Sequence, residues 1–442
     1  MRLAVTSAKM KKATLPKKKP LVENAGFWKT IAVMAICHAM VTILCCTVLF
    51  DLFLFGIPLF LCRKSGIIPD QVYYKATSTI INWTTPIVFG FPMIYSGTRI
   101  YSNNMDILLE SKCQDSLLLS NHGSRIDWMV GMFIGYLTIL GNRIGERCRV
   151  GFVCEALIQF MPLIGWYRKI ICDDIFVWRS FDRDAPTIKA NIQTFHNGSQ
   201  KRMLFLSPEG VVVDHGENDM EYVRQCQQFA VANGIKPLEY VLTPRYKGTS
   251  CLLDQVSSGG PLVSICLAFV RNGKLMNCKL LSADRVVPDI YDLNKGILGS
   301  PISIFIHLRK IKVDANVPFD AKSILLAEYE WKDSILREWD NRLSKGDESW
   351  KHEFDLIRSR KQGVHLNHFA HAFVMFGTAY LFGCHGLFIK AIIGVFCCIT
   401  IIHTLGYKVN ETSMESVPFE TGIKAFMKLL SSGESASERK KN

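Results

Sequence analysis

The run Ser120-Asn121-His122-Gly123-Ser124-Arg125-Ile126-Asp127-Trp128 places an imidazole and a carboxylate five residues apart among small polar side chains. An alcohol is a poor nucleophile while it keeps its proton, so its attack on a thioester needs a base. Imidazole suits that task at neutral pH when a carboxylate fixes its tautomer and stabilises the imidazolium. On one continuous helix His122 and Asp127 would diverge. With His122 in a loop and Asp127 in the first turn of a helix, the carboxylate folds back onto the ring. The helix N-terminus then stands beside the reacting centre, where it favours negative charge. The spacing also arises by chance, and taken alone it leaves a purely structural histidine open.

Elements that could position these residues are legible around them. Asp115–Ser120 is a short apolar run ending in turn-formers, followed by a helical pattern over Asp127–Leu140. Arg202–Leu206 predicts a second strand, stopped by Ser207-Pro208-Glu209-Gly210, and Tyr240–Thr243 a third, ended by Pro244. Strands ending in polar turns and followed by helices predict an α/β unit whose ligands bind outside the carboxyl ends of the strands. Leu326–Leu343 carries Tyr329, Ile335, Leu336, Trp339 and Leu343 near helical spacing and predicts a docking helix.

Two longer stretches set the chain's surroundings. Of 442 residues, 49% are apolar, concentrated in Thr30–Cys62 and Phe369–Leu405. Each is long enough for a tilted membrane span or two short ones. The first starts too far from Met1, and runs too long, for a cleavable signal peptide. Basic residues precede it, and Arg439-Lys440-Lys441 lies near the last residue, which predicts cytosolic ends. Thr30–Cys62 is then expected to form a hairpin or re-entrant pair. The basic end loosely resembles a retrieval signal of the endoplasmic reticulum, so a multi-pass protein of that membrane is expected. The net charge of +13 fits anionic headgroups and CoA phosphates, and the membrane stretches argue against nucleic acid. The fifteen cysteines form no Cys-x-x-Cys pair, which argues against a zinc site or a disulfide framework. His365, His368 and His371 lack a carboxylate or cysteine partner and read as a polar helix edge; Asn367-His368 reads as structural. The sequons at Asn82, Asn197 and Asn410 carry little weight.

Four motifs in order carry a resemblance. Asn121-His122-x-x-x-x-Asp127 resembles the first motif of the glycerolipid acyltransferase family. Ile175-Phe176-Val177-Trp178-Arg179, with Gly165-Trp166-Tyr167 upstream, resembles the second. Leu206-Ser207-Pro208-Glu209-Gly210 resembles the third, and Val241-Leu242-Thr243-Pro244-Arg245 the proline-bearing fourth. Glu239-Tyr240-Val241-Leu242 and Pro244-Arg245-x-x-Gly248 are similar to the lysocardiolipin/lysophosphatidylinositol acyltransferase branch. The resemblance implies a membrane-embedded α/β acyltransferase domain with an N-terminal hydrophobic helix pair and C-terminal transmembrane helices. It implies transfer of an acyl group from acyl-CoA, as co-substrate, to a lysophospholipid, with no metal and no other cofactor. His122 would be the general base and Asp127 its orienting partner. Arg179 would bind the acceptor's phosphate; Asn121, Arg125, Glu209, Gly210, Pro244 and Arg245 would complete the acceptor site. Glu209 is open to a second role, capping the turn at Gly210.

Expected boundaries are a basic tail over 1–26, membrane segments over 27–64 and 364–408, the acyltransferase domain over 65–310, an extension over 311–363 and a polar tail over 409–442. Ser207, Val211, Val212 and Trp178 depart from the family pattern. Two further readings stay open: acylation of lysophosphatidic acid, and a non-catalytic lipid-binding membrane scaffold. A hydrolase is disfavoured because no Gly-x-Ser-x-Gly elbow occurs.

Overall fold

The computed structural model describes residues 27–85, 93, 96–111, 115–139, 149–196, 202–214, 216–256, 261–312, 320–347 and 349–357. Phe369–Leu405, His365, His368, His371, Asn197, Asn410 and the basic C-terminal cluster lie outside the described residues. The strands are β1 Arg99–Ser102, β2 Ser116–Ser120, β3 Arg149–Glu155, β4 Ile175–Val177, β5 Arg202–Leu206, β6 Leu262–Arg271, β7 Lys274–Leu275, β8 Ser303–Ile311 and β9 Asp355–Leu356. The helices are α1 Phe27–Phe50, α2 Ile57–Lys64, α3 Asp70–Thr85, α4 Asp106–Ser111, α5 Asp127–Ile139 and α6 Ile164–Tyr167. They continue with α7 Phe181–His196, α8 Glu217–Ala232, α9 Tyr246–Val256, α10 Ile290–Asn294 and α11 Ala321–Ser344.

The strands form one mixed sheet in the order β4-β3-β5-β2-β6-β8-β1-β9, with β7 paired to β6. β4, β3, β5, β2 and β6 are parallel to one another. β2, β5 and β6 are buried at every position, so helices must cover both faces. That is why these strands read as unbroken apolar runs rather than alternating ones. On one face Leu118, Phe205 and Val263 pack with Met129 and Phe133 of α5 and Ile80 of α3. On the other, Leu117 and Leu204 pack with Ile188 of α7, Leu252 of α9 and Leu325 of α11. The sheet extends past residue 310, because α11 covers it and β9 pairs with β1.

Two expectations are corrected. Tyr240–Thr243 is not a strand. The Glu239 and Tyr240 N–H groups both donate to Asp333 Oδ1 at 2.7 Å, and Leu242 N–H donates to Glu209 Oε2 at 3.3 Å. Carboxylates thus take donors that a neighbouring strand would otherwise use. Thr30–Cys62 also does not fold back as a hairpin or re-entrant pair. α1 passes through a π-helical segment, Asp51–Gly56, directly into α2, and the turn comes after Lys64. The segment's wider i→i+5 bonding resets the helix, and Pro58 then falls in the first turn of α2, where a missing N–H costs little. Gly56 supplies the clearance, since a Cβ there would approach the Ile171 side chain to 2.8 Å. Among the described residues no helix is long and apolar enough to cross a membrane.

His307 of β8 lies against Trp331, Trp339 and Phe354, with ring centroids 5.2, 6.1 and 5.6 Å away. Burial, and secondarily the Arg309 charge, push its pKa down from 6.5 to about 4. The unfolded chain therefore takes up this proton first. The stability contributed is complete above pH 6.5 and is lost as pH falls towards about 4, by at most roughly 3 kcal/mol. Denaturation at pH 7, 5 and 4 should show this loss in the wild type and a shallower one in His307→Phe.

Candidate active site

In-register pairing brings two of the sequence motifs together. β2 and β5 run parallel with Leu119 opposite Leu206, so the chain leaves both strands on the same edge. Ser120-Asn121-His122 and Ser207-Pro208-Glu209 are therefore neighbours. β3 pairs with β5 on its other side and carries β4 beyond it, with Glu155 opposite Val177. This lines up the ends of β4, β3, β5 and β2 along one carboxyl edge.

At that edge His122 Nδ1 lies 3.0 Å from Asp127 Oδ2. Asp127 is buried at the start of α5 and also accepts the Ser124 N–H at 3.1 Å. A carboxylate only accepts hydrogen bonds, so in the neutral ring Nδ1 carries the proton and Nε2 holds the lone pair. The imidazole side chain is 30% exposed while its carboxylate partner is 3% exposed. The ring thus keeps contact with solvent and its partner backs it from the protein side. Ser124 Oγ accepts the Ile126 N–H and Trp128 Nε1 donates to the Arg125 carbonyl, which hold the loop at its entry to α5.

Glu209 ties the loops together. One carboxylate oxygen accepts the His122 N–H at 2.8 Å and the other the Leu242 N–H at 3.3 Å. It is 3% exposed. Burial raises its pKa, while His122, the Leu242 N–H and the nearby Lys332 charge draw it back down. The sequence reading offered acceptor contact or a cap on its own turn. The carboxylate instead bonds two other loops, and the Gly210 N–H goes to the Ser207 carbonyl. Asn121 is likewise buried, and its amide both donates to the Leu267 carbonyl and accepts the Leu267 N–H on β6. The fixed pair of bonds sets the direction in which the chain leaves β2.

Guanidinium groups surround the Gly210 turn. Arg179 donates to the Gly210 carbonyl at 2.6 Å and to Glu155 at 3.0 Å. Arg245 runs where a Cβ on Gly210 would meet it at 3.7 Å, and donates to the Tyr222 hydroxyl at 2.8 Å; its backbone N–H bonds the Pro208 carbonyl. Pro244 beside it is buried. Gly210 sits at φ +73°, a conformation that suits glycine. Arg125 is held by Asp214, 3.0 Å away, which links the first and third motifs again. The departures from the family pattern have local settings. Val211 packs beside Val213, Val223, Leu242 and Leu280, and Trp178 is capped by Arg183 at 4.0 Å.

Sequence reasoning missed Glu155, Asp214, Tyr329 and Lys332, which the fold brings to this edge or directly beneath it. Only Tyr329 left a trace, as one of the helically spaced residues of Leu326–Leu343 that predict a docking helix. Among the described residues no group of three or more His, Cys, Asp or Glu could hold a metal ion.

The Glu209 contacts generate a stability test. In Glu209→Gln an amide NH₂ must face one of two N–H donors, leaving a buried donor unpaired. Denaturation should show a loss of about 1–3 kcal/mol.

No protein-family model matches the chain. It is 27% identical over 279 residues to an Arabidopsis thaliana protein named "Probable 1-acyl-sn-glycerol-3-phosphate acyltransferase 5", covering 62% of this chain and 65% of that one. It is 25% identical to the Mus musculus 1-acyl-sn-glycerol-3-phosphate acyltransferase epsilon over 44% of this chain and 50% of the relative. It is 26% identical to the Danio rerio lysocardiolipin acyltransferase 1 over 54% of each. The matches thus span between half and about two thirds of these relatives' own lengths. The Thermotoga maritima acyltransferase PlsC aligns over 67% of this chain at 10% identity, with a TM-score of 0.32 that carries no argument. Similarity to 1-acyl-sn-glycerol-3-phosphate acyltransferases and lysocardiolipin acyltransferases bears out the resemblance of this chain to the glycerolipid acyltransferase family.

Proposed function

We propose that the protein transfers a fatty acyl group from acyl-CoA to the free hydroxyl of a lysophospholipid. The observation that carries this reading is the 3.0 Å contact between His122 Nδ1 and Asp127 Oδ2. It leaves Nε2 as the basic nitrogen on a partly exposed ring. The acceptor oxygen gives its proton to Nε2 as it attacks the thioester carbonyl. Asp127 stabilises the imidazolium, and the N-terminus of α5 favours the negative charge that develops nearby. Collapse of the tetrahedral intermediate breaks the carbon–sulfur bond, and Nε2–H returns the proton to the departing CoA sulfur. The acyl group passes directly between substrates, with no acyl-enzyme.

Arg179 and Arg245 take the acceptor's phosphate. The Arg179–Glu155 pair supports that role, because both partners are more than a third exposed and such a pair contributes little by itself. A phosphate can replace the Glu155 carboxylate at low cost and accept two bonds from the guanidinium fork. Arg125, held by Asp214, frames the other side. Asn121 and Glu209 fix the loop that carries His122. The relatives act on lysophosphatidic acid or lysocardiolipin by their names, and we favour a remodelling acceptor of the latter kind because Val212 stands where the family pattern has a basic residue. The basic ends and apolar stretches of the sequence support work at the endoplasmic reticulum membrane.

Transfer of labelled acyl groups from acyl-CoA, in membranes and across a panel of lysophospholipids, tests this. His122→Ala should cost about 10²- to 10⁴-fold in rate. An intact wild-type protein with no transfer above background on any acceptor would overturn the assignment.

A further inference from the structure

Beneath the His122 loop, one turn of α11 holds polar groups that packing alone does not explain. Tyr329 and Lys332 are both fully buried. The Lys332 ammonium donates to the Leu119 carbonyl at 3.0 Å, and the Tyr329 hydroxyl donates to the Ser120 carbonyl at 3.0 Å. These are the last two carbonyls of β2, immediately before Asn121 and His122. Both bonds hold the end of β2, from which the His122 loop departs. The next residue, Asp333, accepts the Glu239 and Tyr240 N–H groups, which begin the loop that carries Leu242 to Glu209. Every strand or loop end that meets the Glu209 carboxylate is therefore attached to this turn of α11.

Burying an ammonium is expensive even when it is hydrogen-bonded, and an apolar side chain of similar length would fill the space without that cost. We propose that α11 is a positioning element of the site, in which Tyr329 and Lys332 fix the exit of β2, Asp333 fixes the loop that carries Leu242 to Glu209, and the Lys332 cation maintains the charge balance around Glu209 and His122. The proposal rests on the reading of His122 as the base. The charged and titratable groups facing Lys332 are Cys266, Glu328, Glu209 and Arg309, and its ammonium lies over the Tyr329 ring at 4.4 Å. Burial pulls its pKa down to about 8, so it is still mostly protonated at neutral pH.

The test compares Lys332→Met, which keeps side-chain length without charge, with Tyr329→Phe and with Leu325→Ala. The last loosens α11 one turn earlier and controls for general destabilisation. For Lys332→Met, kcat per folded molecule should fall about 10- to 100-fold, with KM for both substrates within about twofold. Loss of a nearby cation raises the pKa of both Glu209 and His122, so the acid limb of the kcat–pH profile should move to higher pH. Tyr329→Phe should lower kcat with the limb in place, and Leu325→Ala should lower only the melting temperature. The pH dependence of diethyl pyrocarbonate modification at His122, read by peptide mass spectrometry, should show the same upward shift in Lys332→Met. Wild-type kcat and an unmoved limb in Lys332→Met would sink the proposal, as would losses proportional to unfolded protein in all three variants. If the wild type transfers no acyl group, the acyltransferase reading falls. The His122 modification profile then decides the role of α11 alone, and an unshifted profile overturns it.

Discussion

A carboxylate withdrawn from water must be compensated where it lies, and Glu209 is compensated by groups from separate parts of the chain. His122 and Leu242 each supply a backbone N–H, and Lys332 supplies a positive field from a helix more than a hundred residues later. None of these donors is close to Glu209 in sequence. The carboxylate is satisfied only when β2 and β5 are in register, the 239–245 loop is in place and α11 is docked. A one-residue slip between the strands would turn each side chain to the opposite face and separate Glu209 from its donors. The same arrangement that makes the buried charge tolerable also makes the His122 loop the product of the whole fold.

Charge is graded across the site. Toward the interior, Asp127, Glu209 and Lys332 are buried, and their interactions are short, specific and poorly screened. Toward the rim, Arg179, Arg125 and Arg245 keep solvent contact and partners that can be exchanged. A reaction that brings an anionic headgroup to a proton-transfer centre is served by this ordering. The rim cations can re-pair with an incoming phosphate, while the interior groups stay fixed and hold the imidazole geometry.

How much of this the sequence discloses depends on whether a residue's partners are local. β2, β5 and α5 are legible, because a short apolar run between turn-formers and an acid at a helix start are local signals. The four motifs are legible as residues, yet the duties of Asn121 and Glu209 are not, since their partners Leu267 and Leu242 are set by strand order and loop packing. Tyr240–Thr243 misleads for the same reason: an apolar run ending at a proline suggests a strand, but distant carboxylates take its N–H groups. Lys332 is hidden by its neighbours Glu330, Lys322 and Arg337, which give the helix a solvated look. The π-helical segment is illegible because Gly56 and Pro58 ordinarily mark a turn.

Arg179 occupies the left-handed region at φ +63°, where a residue with a Cβ pays a penalty of order 1–3 kcal/mol. Glycine would carry no such penalty, so drift at this position has a thermodynamic direction. Folding weighs that penalty against the guanidinium's bonds to the Gly210 carbonyl and Glu155, and any further demand for the cation adds to the arginine's side. Position 179 is thus a gauge of constraint: an arginine kept here marks a demand for its guanidinium that outweighs the backbone penalty.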